Sequence, residues 1–263
     1  MKEIQFEILP TALLNDYLQQ VDKSISLNFQ NLKDSELSVN AFSFYTSVSA
    51  VFSSKIEGED IELDSFIKHK KWGVEFLPDH TQKIDDLYEA YQFAQQTELN
   101  AEAIEQAHAL ITRHILQKGY RGKMRKQNMY VTTPDGKIEY VACVPGKVKS
   151  ELDKLYNDIG LLIDAKLSFE ETLFFSSLIH LIFVKIHPFA DGNGRTARLL
   201  EKWFLAQKPG ANVWFLQSEK YYYQNHQTYY HNIRLMGLEY ELLDYSKAMP
   251  FLLMLPAALT IGN

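Results

Sequence analysis

The sequence predicts a mainly α-helical fold carrying one β-hairpin. Apolar positions Phe44, Val48, Val51, Phe52 and Ile56 recur three and four residues apart, which lines one face of a helix. Ser168, with Glu171 three residues later, stands ahead of an apolar run that lasts to Ile186; this is the capping-box signature of a helix start. Pro134-Asp135-Gly136 separates two β-prone runs, 128–133 and 137–144, and that arrangement signals a hairpin.

In chain order, residues 1–39 read as an N-terminal segment packed on the core, with an extended start and polar helical turns around 15–31. The helix at about 41–57 stops at Gly58, since glycine ends helices cheaply. Residues 59–82, with Gly73 and Pro78, read as connectors around a short helix. Helical periodicity returns at 83–96 and 101–116, where Ile104, Ala107, His108 and Ile111 share a face. After the hairpin at about 128–144, residues 148–159 are again helical. The run 168–186 is apolar nearly all round, which places it at the centre of the bundle. A further helix runs to about 207 and is broken by Pro209-Gly210. Helical patterns at 218–236 and 240–255 close the domain, and 256–263 form a tail. Without repeats or a flexible linker, residues 40–255 read as one domain.

Composition narrows the function. The chain has 263 residues, 46% apolar and 23% charged, with 27 basic and 33 acidic side chains and a net charge of −6. The acidic balance argues against a nucleic-acid partner. One cysteine excludes an internal disulfide or a cysteine-based zinc site, and Cys143 reads as a small buried apolar residue. The start has no basic stretch followed by an apolar one, and the run 173–186 is interrupted by His180 and Lys185. No signal peptide and no membrane span are therefore expected, and a cytoplasmic location is the default.

The informative stretch is His187-Pro188-Phe189-Ala190-Asp191-Gly192-Asn193-Gly194-Arg195-Thr196-Ala197-Arg198. A buried helix stops at a proline, two glycines flank an asparagine, and a new helix begins. Glycines there permit positive φ and close backbone approach. Successive N–H groups at a helix start form an anion site. Arg195 and Arg198, three apart, project from one face to clamp phosphate oxygens. His187 is a candidate general base. Asp191 is a candidate Mg²⁺ ligand, because Mg²⁺ takes one or two carboxylates plus substrate phosphates. A Gly-Asn-Gly turn alone is only a turn; the convergence of polar groups within twelve residues describes a nucleotide-phosphate site.

This stretch resembles the Fic family signature, H-x-F-x-(D/E)-G-N-G-R-x-x-R, at every defined position. His108 resembles the family's preceding helix, although Ala107 replaces its usual larger apolar neighbour. Gly122-x-x-Arg125 resembles the approach to the family's target-binding flap, and Tyr229-Tyr230 a later helix. The resemblance implies a Fic-fold helical bundle with a hairpin flap, spanning about 40–255. It further implies transfer of AMP from ATP to a Ser, Thr or Tyr hydroxyl of a target protein or of the chain itself. His187 would deprotonate that hydroxyl, and Asp191 would hold Mg²⁺. The backbone amides of Gly192, Asn193 and Gly194, with the Asn193 side chain, would cradle the phosphates, with Arg195 at their β/γ end. Phe189 would anchor the loop. The target would align along the flap by strand pairing; the hairpin's apolar residues are equally open to a purely structural role.

Ser53, Glu57 and Gly58 match a second Fic motif: Ser or Thr, three residues, Glu, then Gly or Asn. This resemblance implies an N-terminal brake in which Glu57 occupies Arg198 and blocks productive ATP binding. In some family members the same glutamate supports removal of AMP. Gly-Lys pairs at Gly122, Gly136 and Gly146 lack a following Ser or Thr, which excludes a P-loop. The intact Gly-Asn-Gly disfavours the phosphotransferase variant, typically Ala-Asn-Lys at this turn. Three alternatives stay open: another nucleotide, AMP removal, and a catalytically silent nucleotide-gated interaction module. The target protein is not legible, and the oligomeric state is open, a homodimer included. Lys118, Arg121, Lys123, Arg125 and Lys126 read as a solvated basic loop. The tyrosines at 221–223, 229 and 230 read as core packing, and His180 as a satisfied core histidine.

Overall fold

The computed structural model describes residues 4–39, 43–132 and 138–260. The turn at 134–136, the 40–41 boundary and the end of the tail lie outside the described residues.

Two short helices, α1 (Leu14–Gln20) and α2 (Ile25–Gln30), precede α3 (Phe44–Ile56), α4 (Leu63–Trp72), α5 (Pro78–Gln96) and α6 (Ala101–Ile111). Strands β1 (Tyr130–Thr132) and β2 (Ile138–Val141) form the hairpin, and α7 (Pro145–Asp164), α8 (Phe169–Ile186) and α9 (Asn193–Ala206) complete the centre. Four shorter helices follow: α10 (Ser218–Gln224), α11 (His226–Arg234), α12 (Met249–Leu252) and α13 (Met254–Ala258). The fold is the mainly helical bundle with one hairpin that the sequence predicts.

The expected capping box forms: Ser168 Oγ accepts from Glu171 N–H, and the Glu171 carboxylate accepts from Ser168 N–H. It opens α8, which is buried continuously from Thr172 to Ile186 and packs along α9. α3 crosses α5 and α10 on the other side. The N-terminal segment is fixed by Asp158 on α7, whose carboxylate accepts from the N–H groups of Glu7, Ile8 and Leu9 at 2.8–2.9 Å. Tyr17 on α1 packs edge-on against Phe174 on α8.

The hairpin pairs Tyr130 with Val141, Val131 with Tyr140 and Thr132 with Ile138, with an irregularity between Val131 and Thr132. On its outer side Val141 N–H donates to Leu238 O at 2.7 Å. Among the described residues no helix is long and apolar enough to cross a membrane.

Several helices differ from the sequence pattern; α5 begins at Pro78 rather than at 83, and α7 spans Pro145–Asp164 rather than 148–159. The predicted 101–116 helix ends at Ile111, where Thr112 Oγ1 donates to His108 O. The single helix predicted at 218–236 is two, divided at Asn225, whose side-chain amide donates to Tyr221 O and so competes with the backbone ladder. The stretch 240–255 is not one helix but 3-10 turns at Tyr240–Leu242 and Tyr245–Lys247 followed by α12 and the start of α13. Pro250 and Pro256 each remove a backbone donor that a continuous helix needs.

Candidate active site

The motif runs across the junction of α8 and α9. α8 ends at His187, which adopts the left-handed conformation at φ 53° and ψ 61°. That conformation is costly for a non-glycine residue and concentrates at functional sites. Gly192 at φ 77° turns the chain into α9, and a Cβ there would lie 2.6 Å from a Thr112 methyl carbon. Only glycine passes this point.

His187 is held from three sides. Arg125 Nε donates to its carbonyl at 2.6 Å. Its Nδ1 lies 3.3 Å from Val184 O and 3.1 Å from the Tyr140 hydroxyl. A carbonyl can only accept, so Nδ1 carries the hydrogen and Nε2 is left as the nitrogen with a free lone pair. Burial lowers the His187 pKa to about 4, so the ring is neutral near pH 7.

His108 clips the loop from below. Its Nδ1 accepts from Gly122 N–H at 2.9 Å, so Nε2 carries the hydrogen and donates to Asp191 O at 2.8 Å. Its ring stacks on Phe189 at 3.7 Å between centroids, and burial takes its pKa down to about 4. Phe189 is fully buried.

The structure gives Asn193 a different task from the phosphate contact expected of its side chain. Oδ1 accepts from Phe189 N–H and Nδ2 donates to Phe189 O, both at 2.9 Å. Both polar ends are taken, and the side chain braces the loop. Asp191 is exposed, with Oδ1 accepting from Gly192 N–H at 2.6 Å. Among the described residues no three metal-ligating side chains converge. One exposed carboxylate suits Mg²⁺, which fills its remaining positions with phosphate oxygens and water.

Arg198 is buried and points toward α3. Its Nε donates to Ser53 Oγ at 2.8 Å, and its Nη2 donates to Ser53 O at 3.0 Å and to Glu57 Oε1 at 2.6 Å. Nη1 lies 3.4 Å from the Tyr229 hydroxyl. α3 ends at Ile56, Glu57 is its C-cap, and Gly58 follows in the left-handed region at φ 94°. Burial pushes the Glu57 pKa up, but Arg198 and Arg195 outweigh it and hold it below the ordinary value. A Cβ on Gly194 would lie 2.4 Å from Glu57 Oε1; the carboxylate thus lies directly on the helix start.

Two neighbours of the site, Glu59 and Tyr140, were not singled out from sequence, and a third, Arg125, was matched to the flap approach rather than to the site. Glu59 pairs with Arg195 at 2.5 Å, both buried. Tyr140 reaches His187 from the hairpin. Arg125, assigned by composition to the solvated loop, is buried; it donates to the carbonyls of His187, Ile186, Gln127 and Cys143. The available signal for Arg125 was its spacing from Gly122, which is itself constrained: φ is 66° and a Cβ would meet Glu105 O at 2.7 Å. His180 bonds Glu201 and Tyr229, and Tyr222 and Tyr229 are buried as core.

Fold and site together define a helical protein whose anion-shaped turn opens a buried helix beside a hairpin. Residues 98–205 match the model of the Fic/DOC family, and the chain therefore carries a Fic/DOC-family domain over those residues. Solved Fic structures share the fold over nearly the whole chain. A Fic family protein from Desulfovibrio desulfuricans G20 superposes with a TM-score of 0.75 at 19% identity, covering 98% of this chain and 75% of the other. A Fic domain containing signaling protein from Bacteroides thetaiotaomicron VPI-5482 gives 0.66 at 17%, covering 95% and 93%. A fragment of Fic-1 from C. elegans gives 0.65 at 16%, covering 95% and 70%. No curated protein matches the sequence. Ser53, Glu57 and Gly58 precede the residues that the family model matches.

Proposed function

We propose that the chain is an autoinhibited protein adenylyltransferase, moving AMP from ATP to a Ser, Thr or Tyr hydroxyl of a target protein or of itself. One observation carries this reading: an anion already sits at the start of α9, and it is the chain's own Glu57 carboxylate, 2.6 Å from Arg198. A helix start with a buried guanidinium favours phosphate for the same reasons that it favours a carboxylate.

In the transfer, the target oxygen bonds to the α-phosphorus while the bond to the bridging oxygen of the β-phosphate breaks and pyrophosphate leaves. The proton of the hydroxyl passes to His187 Nε2. Gly192 and Gly194 let the backbone approach the phosphates. Asp191 would hold Mg²⁺, which supplies charge neutralisation of the phosphates when bound. Arg198, freed from Glu57, would take the γ-phosphate; while the pair is closed, Glu57 puts negative charge where that phosphate must lie. The target segment would align along the hairpin by main-chain pairing, where Tyr130 and Ile138 are exposed.

The test compares wild type, Glu57→Gly and His187→Ala with α-labelled ATP and Mg²⁺. Wild type should label weakly. Glu57→Gly should label roughly tenfold or more strongly, the scale of a released regulatory coupling. His187→Ala should not label. Silence from all three on a broad protein panel would favour the interaction-module reading. Labelling from another α-labelled nucleotide in preference to ATP would change the substrate and keep the chemistry.

A further inference from the structure

The hairpin carries a side chain that touches the candidate base directly. Tyr140 sits on β2, and its hydroxyl lies 3.1 Å from His187 Nδ1. The two rings meet edge to face at 5.9 Å between centroids and 68° between planes. Tyr140 is 5% exposed, and the Lys185 ammonium lies over its ring, 4.5 Å from the centroid. Lys185 is anchored in turn by donating to Gly237 O at 3.2 Å. The phenol is therefore held by His187, Lys185 and its own burial, and burial keeps it protonated, with its pKa well above the usual 10.

The hydrogen-bond bookkeeping gives this contact a direction. Val184 O is an obligate acceptor beside Nδ1, so the Nδ1 hydrogen is shared between that carbonyl and the Tyr140 oxygen. At 3.3 Å the bond to Val184 is long, and the phenol oxygen is the closer partner. His187 has a strained left-handed backbone and no helical neighbour on its C-terminal side, so its ring orientation depends on side-chain partners.

Resting on the reading of His187 as the base, we infer that Tyr140 is a positioning residue for it. The phenol oxygen holds the imidazole so that Nε2 faces the reacting hydroxyl, and it accepts from Nδ1–H when the ring becomes an imidazolium. Because Tyr140 belongs to β2, the aim of the base is set by the seating of the same hairpin along which a target would align. Arg125 reinforces this arrangement by tying the chain before β1 to the carbonyls of Ile186 and His187.

Tyr140→Phe removes the oxygen and keeps the ring against Lys185, so the fold is preserved. Two measurements on the full chain separate this proposal from the transfer reading. The first is ¹⁵N-histidine NMR at neutral pH, which needs no activity. The His187 Nδ1–H signal should be visible and slow to exchange in the parent, and its exchange should speed by roughly tenfold or more in Tyr140→Phe, as expected when one partner of a shared hydrogen is lost, with the His108 and His180 signals unmoved. The second is labelling from ATP in the Glu57→Gly background. Tyr140→Phe should lower kcat by roughly tenfold with the KM for ATP unchanged, since orientation of a general base acts on the chemical step. An unchanged Nδ1–H signal overturns the proposal, as does an unchanged kcat in a chain that labels. If Glu57→Gly itself does not label, the transfer reading fails, and the NMR comparison alone decides whether Tyr140 positions the ring.

Discussion

Glu59 Oε2 lies 2.5 Å from Arg195 Nη2, and the other oxygen of that carboxylate lies 3.4 Å from Lys83 Nζ. The turn after α3 therefore sends two glutamates, two residues apart, onto the two arginines of α9. They differ in exposure. The Glu57 side chain is 25% exposed, whereas those of Glu59 and Arg195 are 6% and 4% exposed.

That difference predicts opposite consequences for neighbouring substitutions. Glu59→Ala strands a buried guanidinium whose Nε already has no partner, and breaking a buried pair from one side is expected to cost about 3 kcal/mol or more. Glu57→Gln leaves Arg198 its two bonds to Ser53 and should change stability by no more than about 1 kcal/mol. Urea unfolding of both proteins reads the contrast directly. Equal losses would mean that Glu57 is a structural residue and not a releasable latch.

Arg125 should be irreplaceable by lysine. Its guanidinium serves four backbone carbonyls in three directions, a geometry that one ammonium cannot reproduce. Arg125→Lys keeps the charge and abandons some of those carbonyls, at a cost of about 2 kcal/mol. It should also loosen the backbone of His187. In the Glu57→Gly background, labelling from ATP should fall by roughly tenfold or more, since small misplacements at a reacting centre are costly. Retained labelling would place Arg125 outside the machinery.

Lys202 ties the two sides of the molecule together. Its ammonium donates to Ser49 Oγ on α3 at 2.8 Å, to Leu216 O at 2.7 Å and to Glu219 at 2.6 Å, and Tyr91 donates to the other oxygen of Glu219 at 2.6 Å. Both charges are fully buried. Lys202→Met should cost about 3–5 kcal/mol by leaving Glu219 unpaired. Adding Glu219→Gln should recover part of that loss rather than add to it, because residues in one network are not additive. A double-mutant cycle by chemical denaturation checks this; strict additivity would show that the two charges do not interact.

The ease with which this chain can be read from sequence follows the range of its interactions. The capping box at Ser168 is local and forms as predicted; the α3 helix forms too, but it is buried beyond its apolar stripe, at Ser47, Ser49, Ser53 and Ser54, while Phe44 and Phe52 are only half-buried. The candidate residues from His187 to Arg198 are contiguous, so their shared turn was visible as a string. Glu59, Tyr140 and Arg125 reach the same turn from 136, 47 and 62 residues away, and no spacing rule encodes such pairings. Asn193 shows the converse limit. Its identity was legible, but whether its amide faces a ligand or the Phe189 backbone is decided by the local loop closure. The divided helix at Asn225 and the short helices around Pro250 and Pro256 had local signals, and the apolar periodicity outweighed them in the reading.

Arg198 and Arg195 hold the Glu57 carboxyl below the ordinary 4.5 against the opposing effect of burial. A group whose pKa is depressed in the closed state contributes fully above its ordinary pKa and loses its contribution as pH falls through the lowered one. In the proposed latch, protonation of Glu57 weakens the pair with Arg198 only as pH falls below the ordinary carboxylate value, and the carboxylate is charged throughout the neutral range. His187, lowered to about 4 by burial, is likewise already neutral there. Wild type should therefore stay weakly labelled from about pH 5 to about pH 8, and Glu57→Gly should label at a rate that varies by less than about twofold across that range, because the base does not titrate in it. Rates of wild type and of Glu57→Gly measured in matched-ionic-strength buffers test the two statements. A rise with a midpoint near 6.5, the ordinary histidine value, would show that the imidazole is solvated during the proposed transfer and that the seat beside Tyr140 is left before the proton is taken.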